Sequence, residues 1–125
     1  MRSYRELLVY KKSYEQAKGI YELTRSFPKE EQFGLTSQIK RAATSIPLNI
    51  AEGYGKAEMG AEVLRFLSMA RGSSCEMEVL LEFSKDFGYL SSGDYEYLSE
   101  EQRQIGKMLT GLIRSLKEKT ATTNV

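Results

Sequence analysis

The residues best suited to chemistry lie in one polar line along a predicted helix and at two positions on the next. Steps of three, four, four and three residues place five polar side chains on a single helix face. They are Gln38, Arg41, Ser45, Asn49 and Glu52. Ser73 and Glu76, on the following helical segment, are expected to meet them. Carboxylates, amides and hydroxyls in such a line could exchange protons, hold a cation or hydrogen-bond to one another.

Three interpretations of this polar line are open: a solvated helix face, a structural network that fixes register within a bundle or between subunits, and a catalytic or ligand site. A buried network requires that every member be hydrogen-bonded. The catalytic interpretation is weakened because the chain has no histidine and one cysteine, so the usual general base and the commonest transition-metal ligand are missing. The sequence also contains no Walker-type glycine loop. We therefore predict a protein that is not an enzyme and holds no cofactor or metal.

Basic residues gather near the start and near the end of the chain. If the first and last helices are antiparallel, these residues share one end of the molecule, which we call the basic pole. Its members are Arg2, Arg5, Lys11, Lys12, Arg114, Lys117 and Lys119, with Tyr4 and Tyr10 interleaved. Clustered cations attract phosphates and exposed aromatic rings stack on unpaired bases, so the basic pole is the predicted nucleic-acid surface. The alternative is that cations at helix ends are solvated and complement the helix dipole.

The net charge of +1 conceals a strong asymmetry along the chain. Residues 1–56 carry ten basic and six acidic residues, residues 57–101 carry three and ten, and residues 102–125 carry five and one. Asymmetry of this size indicates surfaces for partners. One partner class is RNA or DNA. The other is protein, with acidic and basic helices paired between neighbouring subunits.

Four helical segments must position these side chains. Apolar residues recur every three or four positions over about 4–26, 36–53, 57–88 and 95–119. A chain of 125 residues with two prolines and ten glycines suits one ordered, mostly helical domain. The short connections favour an all-α, up-down-up-down antiparallel four-helix bundle. The predicted domain covers residues 1–119, and residues 120–125 form a frayed tail.

Local features follow from the same patterns. On the first helix the predicted core line is Leu7, Tyr10, Tyr14, Ala17, Tyr21 and Thr24. Thr36 is the expected N-cap of the second helix, and Gly53 and Gly55 are its expected stop. Gly72 lies among small residues, which indicates a close approach between helices. Cys75 is expected to be a small buried thiol, and Gly88 is expected to end the third helix.

Two segments carry a resemblance to a known family. They are QIKRAATSIPLNIAEGYG at residues 38–55 and ARGSSCE at residues 70–76, and the Asn-Ile-Ala-Glu-Gly run at 49–53 is specific. They resemble the signature of the bacterial four-helix-bundle family of 23S rRNA intervening-sequence proteins, which includes the accessory variability determinant of diversity-generating retroelements. The resemblance covers nearly the whole chain. It implies an up-and-down bundle that assembles as a ring of five, and nucleic-acid binding for some members.

Further expectations concern localisation and function. The N-terminus is too polar for a signal peptide, no apolar run approaches the roughly 20 residues that span a bilayer, and a single cysteine suits a reducing compartment. A soluble cytoplasmic protein without membrane contact is expected. The predicted function is a non-catalytic module that forms a homopentamer and binds nucleic acid with little sequence specificity. The alternative is an oligomeric scaffold or adaptor that binds another protein.

Overall fold

The computed structural model of the protein describes residues 3–56 and 60–123, and helices account for most of them. The four long helices are α1 (Leu8–Leu23), α2 (Leu35–Lys56), α3 (Gly60–Asp86) and α4 (Ser92–Thr123). An N-terminal 3₁₀ turn precedes α1 and two more follow it, at Tyr4–Glu6, Thr24–Ser26 and Lys29–Glu31. The described ranges contain no β-strand.

Each helix packs against the helix that follows it, and α1 closes the bundle against α4. Along α2 and α3 the contacts run in opposite directions: Ser45 meets Ser73, whereas Gly53, about two turns later, meets Phe66, about two turns earlier. The predicted all-α, antiparallel four-helix bundle is confirmed. Fully buried side chains from all four helices fill its centre. The largest apolar ones are Ile20, Ile39, Ile46, Ile50, Leu67, Met77, Leu81, Ile105 and Leu109.

The core face of α1 is not the line of tyrosines that the spacing predicts. Part of that line is buried, but Tyr14 and Tyr21 are 46% and 47% exposed. The buried residues of α1 are Val9, Ser13, Gln16, Ala17 and Ile20. The helix is rotated relative to the prediction because Ser13 and Gln16, although polar, occupy core positions.

The glycines of α2 and α3 have different roles from those predicted. α2 continues through Gly53 and Gly55 and ends at Lys56, one residue beyond the second glycine of the expected stop. A Cβ atom at Gly53 would lie 3.0 Å from the Cβ of Phe66, which shows that this glycine lets α2 and α3 approach closely. The approach predicted at Gly72 is wrong, since a Cβ there would meet nothing within 4 Å. Gly88 does follow the end of α3, with φ of 81° in the left-handed region that favours glycine.

The start of α2 is capped from the preceding turn and not by Thr36. The Glu31 carboxylate accepts a hydrogen bond from the backbone N–H of Leu35 at 3.1 Å. Thr36 lies inside the first turn, and its Oγ1 is buried without a hydrogen-bond partner among the described residues. The same carboxylate accepts from the hydroxyl of Tyr89 at 2.8 Å, and this bond raises the pKa of Tyr89. Glu31 therefore ties the start of α2 to the connection between α3 and α4.

The last helix is longer than expected. α4 continues past Lys119 to Thr123, so the first part of the predicted tail is helical. None of the described helices is long and apolar enough to cross a membrane.

Candidate nucleic-acid interface

The structure divides the predicted basic pole between two sides of the bundle. Arg5 lies in the N-terminal turn, which packs mainly against α1 and α2. Its guanidinium carbon is 4.9 Å from the ring centre of Tyr4. Arg114 and Lys117 lie on the other side, in the groove between α3 and α4. Arg2 is outside the described residues.

The remaining members of the basic pole are also separated. Lys11 is exposed on α1 and Lys12 is half-buried. Lys12 precedes Gln16 by one turn, and Gln16 bonds to the backbone of α4, so Lys12 lies on the α4 side of α1. Lys119 is exposed on α4. It does not line the groove between α3 and α4 in which Arg114 and Lys117 lie. The described members of the basic pole are therefore spread over more than one side of the bundle.

Five basic side chains do come together along the groove between α3 and α4. Arg71, Arg103, Lys107 and Arg114 line a groove of about 470 Å³. Lys117 joins Arg71 and Arg114 in an adjoining groove of about 310 Å³. We call this combined surface the basic groove. Sequence analysis missed Arg71, Arg103 and Lys107, although the helical spacing from Arg103 through Lys107 to Arg114 places these three on one face of α4.

The basic groove also contains acidic groups, which reduce its net charge. Glu78 lines its larger part and Glu118 its smaller part. Arg103 donates to the Glu100 carboxylate through Nε, at 3.0 Å, and through a terminal nitrogen. This bonding lowers the pKa of Glu100 and raises that of Arg103. Because both partners are exposed, the ion pair is weak and a phosphate can compete for the guanidinium.

The helix dipole does not account for the cations of the basic groove. α4 continues to Thr123, and its last turn holds no basic residue. The dipole acts on charges within the final turn, whereas Arg114 and Lys117 lie more than one turn before the end of the helix. For these two residues, the dipole explanation weighed from the sequence is therefore weak.

The structure brings most of the predicted polar line into a groove between α2 and α3. The groove has a volume of about 290 Å³. Its polar lining is Gln38, Arg41, Ser45, Ser73 and Glu76. The hydroxyls of Ser45 and Ser73 are hydrogen-bonded at 2.8 Å, and the Asn49 amide donates to the carbonyl and hydroxyl oxygens of Ser45 at 2.8 and 2.9 Å. Glu52 is not part of the lining. The bonded residues connect α2 to α3, which suits the structural interpretation of the polar line.

A second polar chain, which sequence analysis missed, crosses the core between α1, α3 and α4. The Gln102 amide donates to the side-chain oxygen of Gln16, and Ser74 Oγ donates to Gln102 Oε1 at 2.7 Å. Gln16 also donates to the Leu98 carbonyl at 3.3 Å and to the Glu101 carboxylate at 2.9 Å. Gln102 and Ser74 are only 1% and 2% exposed, so these hydrogen bonds belong to the core, although both residues also border the groove between α3 and α4.

An apolar groove of about 570 Å³ runs between α1 and α2, on the face of the bundle opposite the basic groove. Its lining is Tyr4, Tyr10, Tyr14, Ala17, Lys18, Tyr21, Thr44, Pro47, Leu48 and Ala51. We call it the tyrosine groove. The rings of Tyr10 and Tyr14 stack with their centres 5.8 Å apart. The ammonium of Lys18 lies 5.4 Å from the ring centre of Tyr14, and that of Lys40 lies 4.5 Å from the ring centre of Tyr21.

The single cysteine and the acidic residues add no further site. Cys75 is exposed, so the prediction of a buried thiol is wrong. The helix instead turns the neighbouring Ser74 toward the core. Within residues 3–56 and 60–123, no group of three or more histidine, cysteine, aspartate or glutamate residues is placed to hold a metal ion.

Comparison with known proteins establishes the family. Residues 5–111 match the model of the family described as 23S rRNA-intervening sequence protein. A crystal structure from Bacteroides thetaiotaomicron, of a protein with unknown function from the S23 ribosomal protein family, is 30% identical to this chain. The match covers 86% of this chain and 96% of that one, with a TM-score of 0.79. The comparison with curated proteins finds no significant match. On the extent of the family match and the shared fold, the protein belongs to the family of 23S rRNA-intervening sequence proteins.

Proposed function

We propose that the protein is a non-catalytic, cytoplasmic module that assembles into a ring and binds the phosphate backbone of structured RNA or duplex DNA through the basic groove. The observation that carries the proposal is the row of five basic side chains between α3 and α4. From Arg103 to Arg114 the row extends for about 16 Å along α4. A duplex carries one negative charge for about each 1.7 Å of its axis, so a row of this length meets several phosphates.

The chemistry of the basic groove suits phosphates. Its charged lining has five basic residues and two acidic ones, Glu78 and Glu118. Contacts to phosphates fix the position of a nucleic acid but carry no direct information on its sequence. We therefore expect binding that depends strongly on salt and little on base sequence.

Assembly into a ring supports this function because several copies of a weak site bind together far more tightly than one. The resemblance that the sequence carries implies a ring of five. Exposed apolar side chains in the last turns of α3 and just after it also suit contacts between subunits, since Val79, Phe83 and Phe87 are 49%, 47% and 54% exposed. Light scattering at two protein concentrations measures the mass. A mass of five chains supports the ring, and a monomer at both concentrations refutes it.

The basic groove is tested by charge reversal in the double variant Arg114→Glu, Lys117→Glu. We expect its affinity for a structured RNA and a duplex DNA to fall by tenfold or more at low salt, because two attractive phosphate contacts become repulsive. The slope of log affinity against log salt should become shallower by about two. Gel shifts over a salt series measure both quantities.

The matched control is the double variant Arg25→Glu, Lys29→Glu, which changes the net charge equally at the opposite end of the bundle. Both control residues are exposed, and we expect the control to retain most of the affinity. Equal losses in the two variants would show that only net charge matters and would refute the basic groove. A folded protein that shifts neither nucleic acid at low salt would refute nucleic-acid binding itself.

A second candidate function is an oligomeric scaffold that binds another protein. It is favoured by exposed aromatic side chains at the end of the bundle that holds the α3–α4 connection. Phe83 and Phe87 stack with ring centres 5.6 Å apart, and Phe33 is 91% exposed. Exposed aromatic residues of this kind are typical of protein interfaces. An assembled ring that binds no nucleic acid would favour this function.

A further inference from the structure

We infer that the tyrosine groove is a second nucleic-acid site, which takes unpaired nucleotides of single-stranded RNA or DNA by stacking their bases on its tyrosine rings. The inference rests on the proposed function and extends it, since it adds a substrate class and a separate surface. The basic groove would hold backbone phosphates, and the tyrosine groove would hold bases that are not in a duplex.

The first observation is the exposure of the rings. Tyr14 and Tyr21 remain nearly half exposed beside the apolar Leu48, which is 65% exposed. Tyr10 stacks on Tyr14, and Tyr4 meets Tyr10 edge to face at 5.1 Å. Partly exposed aromatic rings that line one apolar groove indicate a ligand with apolar faces. Nucleic-acid bases have such faces, and every base can stack.

The second observation is that cations accompany the rings. Lys18 and Lys40 lie over Tyr14 and Tyr21, and Arg5 lies over Tyr4. The phosphate that follows a stacked base would therefore meet a positive charge close to the ring. Rings and cations in one groove are the combination with which proteins bind single strands.

The charge of the described lining suits a polyanion as the occupant. The described lining contains one charged residue, Lys18, and no acidic one. Lys18 is paired with Glu15 at 3.2 Å, but the two side chains are 59% and 67% exposed, so the pair is weak and a phosphate can displace it.

The dimensions of the groove fit a short single strand. Along α1 the distance from Tyr10 to Tyr21 is about 16 Å, which corresponds to roughly five nucleotides at the 3.4 Å spacing of a stacked strand. The faces of paired bases are covered by their neighbours in a duplex. The rings can therefore stack only on nucleotides that are unpaired.

The test compares an unstructured single-stranded oligonucleotide of uridines with a duplex of equal length, by fluorescence anisotropy of the labelled nucleic acid. The variant Tyr14→Ala, Tyr21→Ala should lose about tenfold or more in affinity for the single strand. Its affinity for the duplex and its mass in solution should be unchanged. The variant Tyr14→Phe, Tyr21→Phe keeps the aromatic rings and should bind the single strand as the parent protein does.

The control is Tyr97→Ala, which removes a 66% exposed ring from α4, outside the tyrosine groove, and should leave binding of the single strand unchanged. Retained single-strand affinity in the Tyr14→Ala, Tyr21→Ala variant would overturn the inference while leaving the proposed function intact. A lower mass in that variant would also overturn it, because the groove would then be occupied by a second copy. A parent protein that binds neither the single strand nor the duplex would refute the inference together with the proposed function.

Discussion

Gln16 and Gln102 show how single polar residues determine the orientation of a helix in this bundle. Burying an amide is costly unless its hydrogen-bonding groups find partners. Here the two amides bond to each other, and Ser74, Leu98 and Glu101 supply further partners. A rotation of α1 that turned its tyrosines inward would break these hydrogen bonds. The buried amides therefore favour one rotation of α1 and leave the tyrosines at the surface.

The first prediction concerns the hydrogen bonds between Gln16, Gln102 and Ser74. The substitution Gln102→Ala should lower the free energy of unfolding by about 3 kcal/mol, because it removes the donor to the Gln16 side-chain oxygen and the acceptor of the Ser74 hydroxyl, and opens a cavity. Urea unfolding followed by circular dichroism measures the change. The exposed Gln32→Ala is the control and should change the stability by less than about 0.5 kcal/mol. Equal stability of Gln102→Ala and the parent protein would show that these buried hydrogen bonds contribute little to the free energy of unfolding.

At the scale of elements, the distance between α2 and α3 depends on one small residue. Gly53 faces the Cβ of Phe66, an atom close to the backbone that cannot move without moving α3. Gly72 has open space around it, although it lies in the middle of α3. The two glycines therefore affect stability in opposite ways. Gly53 stabilises the fold because it allows the close packing of α2 against α3. Gly72 destabilises it because a glycine loses more backbone entropy on folding than another residue would.

The second prediction compares Gly53→Ala with Gly72→Ala. The first should destabilise the protein by about 1 kcal/mol or more, because overpacking outweighs the better helix propensity of alanine. The second should stabilise it by about 0.5–1 kcal/mol, since alanine has less freedom to lose on folding. Thermal and urea unfolding of both variants give the comparison. Stabilisation by both substitutions would contradict the close approach at Gly53.

The number, order and approximate extent of the helices could be predicted because apolar spacing and turn residues are local signals. In α2 the apolar residues at spacings of three and four include Ile39, Ile46 and Ile50, and all three are buried. The core face of α1 could not be predicted in this way. Its tyrosines are more apolar than Ser13 and Gln16, and only the partners on α3 and α4 show that the polar residues lie inside.

At the scale of the whole molecule, the candidate sites depend on which helices become neighbours. The sequence placed basic residues at both ends of the chain and suggested a single pole. Because α1 pairs with α2 on one face and α3 with α4 on the other, Arg5 lies on the α1–α2 side of the bundle, whereas Arg114 lies in the groove between α3 and α4. Arg71, from the predominantly acidic part of the chain, completes the basic groove, and this contact between distant segments has no local signal.

The position of α1 has a consequence for the motions of the protein. α1 is the shortest of the four helices, its contact with α4 is partly polar, and its outer side borders an open groove. Segments with few buried apolar contacts open at a lower free-energy cost than the global unfolding of a protein. Amide hydrogens of α1 should therefore exchange with solvent deuterium sooner than those in the middle of α2 and α3. Native-state exchange followed by mass spectrometry would show this order, and uniform exchange in the four helices would exclude it. A strand held in the tyrosine groove would bridge α1 and α2 and so slow the exchange of α1 selectively.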